Sequence, residues 1–362
     1  MKLVIHLAQG DLSPIDTKPP SGDILRDSFR MAFPDVVRLG FSNVDHIVLG
    51  DSDHGDYRQV WDTLGSPETM AAVAESGAPH MFLELPYYRQ GLVDEFQSKV
   101  AAGEAVNVGE FAQRFEHEDD VAHNISQWRF RTGEETQTFL QNSVAPLLVN
   151  ATRFGVDVNM LDHENGRNQF EARNDARKAV IETRDEIVRI RDTENASDPS
   201  VAARLTQLRG QFQDQKAAYM QSRLDYYSAR FDDQNLAQTV NGVAQGQKSL
   251  TMLGFVHGSR LNDFEEYLQG GALKIDIATS RASYEQDYAQ RMDTINAVSP
   301  AFGNDPPELV YFIDEGVLAT TVNTPPALAR QIENIASGAP DITPNDTDPD
   351  QTPKIDTGMK WN

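Results

Sequence analysis

The sequence has no cysteine. Disulfides, thiolate metal sites and cysteine nucleophiles are therefore excluded together. Positive charge is scarce as well: 32 Lys and Arg stand against 55 Asp and Glu, a formal net charge of −23. A field of that sign repels phosphate polymers and anionic bilayers, so neither nucleic acid nor a membrane is expected as a partner. It suits a neutral or cationic substrate, although surface solvation alone accounts for the same balance. No run approaches the ~18 apolar residues a bilayer-spanning helix needs. The opening ten residues are broken by His6 and lack the continuous apolar stretch and small-residue cleavage site of a signal peptide. A cytoplasmic protein is the expectation, with export by a signal-peptide-independent route as the alternative. Also missing are a P-loop, a GxGxxG after a strand, a GxSxG elbow and an HExxH helix. Nucleotide-cofactor and serine-hydrolase chemistry lose their sequence support with them.

What remains is ordinary for a folded protein: 39% hydrophobic and 24% charged residues over 362 positions, enough for a sizeable core. Composition and pattern divide the chain into an N-terminal arm (1–42), an α/β domain (43–336) and a disordered tail rich in Pro, Asp and Thr (337–362). Within the arm, residues 23–33 read as a short helix. Short apolar runs at 44–49, 81–85, 156–161, 250–256, 273–278 and 309–313 read as buried strands, and helical patterns lie between them. Ser66-Pro67 supplies a cap and first turn for one such helix. The alternation predicts a mostly parallel central sheet flanked by helices. Residues 168–230 are helical and charged, interrupted at 195–200 by a turn signal. With Ala179, Val180, Ile187 and Ile190 facing Leu205, Leu208, Phe212 and Tyr219, they predict an inserted helical hairpin, a surface for a protein partner.

Ligands of open α/β sheets bind beyond the carboxyl ends of the strands. Four strands here end in acids or histidines: Asp51 and His54, Glu84, Asp162 with His163 and Glu164, and His257. A histidine titrates near neutral pH, and an adjacent carboxylate fixes its tautomer and stabilises its cation. His54, His257, Glu84 and Asp51 therefore form a general acid/base set for activating water. Each also has a plain structural reading: Glu84 as an edge-strand charge, His54 as a turn residue, His257 as a core histidine. For His163 the plain reading is the stronger. Asp162, Tyr87, Arg89 and Asp233 are assigned to substrate binding. The run His117-Glu118-Asp119-Asp120, followed by His123, has metal-ligand residue types, but a solvated acidic face explains it better.

Gly50-Asp51-Ser52-Asp53-His54-Gly55 resembles the Gly-Glu-x-x-His-Gly signature of the erythromycin esterase family, with Asp51 in place of Glu. Phe82-Leu83-Glu84 resembles that family's second motif. Gly155 to Asp162 resembles its central strand, and Asp233 to Ala237 resembles a helix motif. Gly254-Phe255-Val256-His257 resembles the late Gly-x-x-His motif of the wider superfamily, which includes ChaN-like haem-uptake proteins and Tiki/TraB metalloprotease-like proteins. Asp232 stands where the helix motif has Arg, and the late motif lacks the His-Asn-x-His form of macrolide esterases. The resemblance implies a base or metal-ligand role for His54, a partner role for Glu84 and a second such role for His257. The expectation is a hydrolase of a small-molecule or peptide ester, lactone or amide. A divalent ion (Zn, Mn or Fe) on His54, His257 and Glu84 is its metal-dependent form. The alternatives are a non-catalytic haem- or ligand-binding protein, or a secreted effector or toxin-like domain.

Overall fold

The computed structural model describes residues 24–51, 57–116, 133–162, 167–195, 198–230, 233–254, 264–286 and 306–337. Among the described residues, eight strands form one sheet in the order β1-β8-β7-β6-β2-β5-β3-β4. They are β1 (Leu25–Arg30), β2 (His46–Asp51), β3 (His80–Pro86), β4 (Asp157–Asp162), β5 (Ser249–Gly254), β6 (Ala272–Ala278), β7 (Leu309–Phe312) and β8 (Val317–Thr321). From β7 to β4 every neighbour is parallel, whereas β8 runs antiparallel to both β7 and β1. The mixed, mostly parallel α/β sheet is the one the strand–helix alternation predicts.

Among the described residues the α-helices are α1 (Phe33–Asn43), α2 (Tyr57–Leu64), α3 (Pro67–Glu75), α4 (Gln90–Ala101), α5 (Val108–Glu116), α6 (Gly133–Phe139), α7 (Ala145–Arg153), α8 (Arg167–Thr193), α9 (Pro199–Arg230), α10 (Asp233–Ala244) and α11 (Pro326–Ala336). β2 and β5 are buried at all six positions, as strands covered on both faces must be. One face carries the main core, including Ile47, Leu49, Met81, Leu83, Leu250 and Met252. On the other, Val48, Phe82 and Leu253 meet Leu236, Ala237 and Val240 of α10. Gly40 brings α1 close to β2: a Cβ there would stand 2.6 Å from Ile47 Cδ1. The Ser66-Pro67 signal is realised, with Ser66 Oγ accepting the Thr69 N–H at 3.2 Å.

Two expectations change. Residues 25–30 form a strand and not part of a helix, because pairing with β8 outweighs local propensity. Its exposed, charged outer positions (Arg26, Asp27) suit an edge. The segment read as an arm also contributes α1, whose Phe33, Val36, Val37 and Phe41 are buried in the main core. The tail beyond residue 337 lies outside the described residues.

The inserted hairpin is α8 and α9. Its buried and half-buried residues recur at alternating steps of four and three: Ala176, Val180, Thr183, Ile187 and Ile190 on α8, and Leu205, Leu208, Phe212, Gln215 and Tyr219 on α9. That is a heptad seam of a two-stranded antiparallel coiled coil. Arg204 bridges Glu186 and Glu194, and Arg173 stacks over Tyr226 at 4.5 Å, fixing the register from tip to base.

Candidate functional site

The parallel strands bring their carboxyl ends to one edge of the sheet. At its centre Asp51, the last residue of β2, pairs with Gly254 of β5 on one side and with Ile277 of β6 on the other. Its side chain is fully buried. Alternation places it on the face of Ile47 and Leu49. Asp233, equally buried, opens α10 on the opposite face. The two carboxylates thus flank the strand ends from both sides.

Glu84 has a defined partner. The β3–β5 ladder stops at Leu83 and Met252, and one residue later the Glu84 carboxylate accepts the Gly254 N–H at 2.5 Å. A side chain replaces the acceptor that the ladder no longer supplies, fixing the end of β5 against β3. Beyond β3 a 3₁₀ turn (Tyr87–Arg89) leads into α4. Tyr87 is 48% exposed, while Arg89 is buried and stacks over the Tyr88 ring at 5.2 Å. The backbone of Asp162 ends β4 beside Pro86.

Of the residues the sequence nominates, Asp51, Glu84, Arg89 and Asp233 are thus set around one edge, with Tyr87 exposed beside it. His54, His257, His163, Glu164, His117, Glu118, Asp119, Asp120 and His123 lie outside the described residues. The two described histidines, His46 and His80, are at the opposite, amino ends of β2 and β3. His46 is buried with both ring nitrogens engaged. Its Nε2–H donates to the Gln269 carbonyl at 2.9 Å, so Nδ1 accepts from Ser249 Oγ at 2.8 Å.

Sequence reading passed over Asp276. It sits in β6 directly beside Gly50, buried, and receives the Tyr284 hydroxyl at 3.2 Å. An acid in the strand Ala272–Ala278 was visible as a pattern violation. Lys274, two residues earlier, breaks the same pattern and is buried against Glu265 at 2.6 Å. That pair is structural and lies toward the amino end of the strand.

No protein-family model matches the sequence, and no curated protein matches it. Among solved structures, the type III effector HopBA1 is similar, with 15% identity, a TM-score of 0.38, and coverage of 72% of this chain and 89% of that one. ChaN of Campylobacter jejuni, whose structure shows cofacial haem binding, is similar with 12% identity, a TM-score of 0.37, and coverage of 71% and 91% respectively. Overlap at that level assigns neither family nor activity.

Proposed function

We propose that the chain is a ligand-binding protein whose site spans the carboxyl ends of β2, β5 and β3 and is completed by His54 and His257. The support is a strand register. Asp51 and Gly254 are paired on adjacent parallel strands, and each is followed three residues later by a histidine. Strands about 4.8 Å apart launch both segments from neighbouring points, and three residues reach about 10 Å from each. Two imidazoles among carboxylates suit a positively charged or metal-centred ligand, either a free divalent ion or haem iron. Among the described residues no group of three His, Asp or Glu is arranged to hold a metal, so such a centre depends on His54 and His257. Glu84 already accepts the Gly254 N–H, which favours binding over a role as free general base.

Titration with haem, followed by the Soret band, and with Zn²⁺, Mn²⁺ and Fe²⁺, followed calorimetrically, tests the reading. One probe is expected to saturate, and both His54→Ala and His257→Ala should lose it. Binding retained in both variants, or no binding by any probe, overturns it.

The buried Asp51 carboxylate, three residues before His54, favours a second reading, hydrolysis of an ester, lactone or amide at the same edge. There His54 would take the proton from water and Asp51 would orient the imidazole. Turnover in an ester and amide panel that disappears in His54→Ala supports it, and a panel without turnover removes it.

A further inference from the structure

The hairpin differs in charge from the rest of the chain. Residues 167–230 carry 12 Lys or Arg and 10 Asp or Glu, whereas the remainder carries 20 and 45. The basic residues follow the heptad. Arg177, Arg184 and Arg191 each come one position after a seam residue of α8, and Arg209 and Lys216 do the same on α9. In an antiparallel pair these equivalent positions flank the seam on one face. With Glu186 bridged to Arg204, the register sets Arg184 opposite Arg209 and Arg177 opposite Lys216. The other face is built the ordinary way, with Glu186 opposite and bridged to Arg204.

Facing like charges weaken a coiled coil, and they stand where opposite charges would normally be. Neighbouring acids relieve them little: Arg184 and Arg191 reach only Asp185 and Asp192, the next residues in sequence, and exposed pairs of that kind contribute little. Arg177, Arg209 and Lys216 have no ion-pair partner among the described residues. Beside the two basic rows, the outer rim carries half-buried Ile181 and Met220 and exposed Val188.

We propose that this face of α8 and α9 is a docking surface for an acidic amphipathic helix of a partner protein. Each basic row repeats every seven residues, about 10.5 Å along the helix, the spacing at which a third helix repeats its own flanking positions. Acids there would neutralise both rows at once, and the apolar side chains of such a helix would meet the seam and rim. A phosphate polymer fits less well, because the remaining chain, with 45 acids against 20 bases, repels it at long range. A second copy of this chain docked face to face brings only the same basic rows to the contact.

The test uses the full chain and a fluorescein-labelled heptad peptide with Leu on its seam and Glu at both flanking positions. Binding should be detectable by anisotropy and weaken with salt. Arg209→Glu/Lys216→Glu should reduce affinity by about tenfold or more. The same variant should melt no lower than wild type, because it turns like-charge pairs into opposite ones. Lys178→Glu, on the outer surface of α8, should change affinity far less. The proposal is overturned if the wild type does not bind the peptide, if Lys178→Glu loses as much affinity, or if the double variant melts lower. Tighter binding of a duplex oligonucleotide or a phosphatidylserine vesicle than of the peptide overturns it as well.

Discussion

The Glu84 carboxylate holds the backbone N–H of Gly254, joining the ends of β3 and β5 where their ladder stops. Gly254 is also the register partner of Asp51, so this bond sets where the chain leaves the sheet toward His257. Glu84→Ala removes a bond that fixes this exit and should cost about 1–3 kcal/mol, measured by urea unfolding. Ligand binding at the edge should weaken with it. Glu84→Gln keeps an acceptor oxygen and should retain most of both. If Gln is as damaging to function as Ala while stability is spared, Glu84 acts through its proton and the positioning role is wrong.

The outer edge strand β4 is sealed by two glutamines seven residues apart on α4. Gln90 donates to the Val158 carbonyl at 3.0 Å and accepts the Met160 N–H at 2.7 Å. Gln97 donates to the Val156 carbonyl at 3.2 Å and accepts the Val158 N–H at 3.1 Å. The side-chain amides stand in for a missing neighbouring strand and deny that edge to other chains. Gln90→Leu/Gln97→Leu should lose about 2 kcal/mol and associate on mild heating, seen by light scattering. A monomeric double variant of unchanged stability would show that the amides add nothing.

Much of this was legible in the sequence because it depends on short-range pattern. Ser66-Pro67 announces α3, and the apolar runs announce β2, β3 and β5. The 3–4 spacing from Val180 to Ile190 and from Leu205 to Phe212 announces the hairpin. β1 was illegible because nothing local makes Leu25–Arg30 a strand; it exists through pairing with β8, almost three hundred residues away. At the site, strand-end logic nominated Asp51 and Glu84, and the helix-motif resemblance nominated Asp233. Both missed what only coordinates give: that Glu84 is engaged by Gly254, and that Asp276 lies beside Gly50.

Lys274 tests how a buried charge is tolerated in β6. Its side chain is 4% exposed and its ammonium lies 2.6 Å from Glu265, itself 22% exposed. Lys274→Met leaves the Glu265 carboxylate without its cation and should destabilise by about 3–5 kcal/mol. Lys274→Met/Glu265→Leu removes both charges and should recover most of that loss. Thermal and urea unfolding of the three proteins decide the matter: a double variant no better than the single would mean that packing, not charge, sets the cost.

Glu308, at the start of β7, gives the pH dependence. Burial pushes its carboxyl above the ordinary value of 4.5; the backbone N–H groups of Glu308 and Lys274 and the Lys274 charge oppose this, while Glu265 adds to it. Its Oε2 accepts the Lys274 N–H at 2.8 Å. The folded protein therefore keeps this proton at pH values where the unfolded chain has released it. The group's stabilising contribution is full below the unfolded value and declines as pH rises through the folded one. Glu308→Gln imitates the protonated form at every pH and retains an acceptor for Lys274. Other carboxylates titrate equally in both proteins, so the difference between them isolates Glu308. Measured by urea unfolding at about pH 4 and about pH 7, the variant should gain on wild type at the higher pH. A difference that stays constant, or shifts toward wild type, would mean that the Lys274 charge outweighs burial and holds Glu308 ionised.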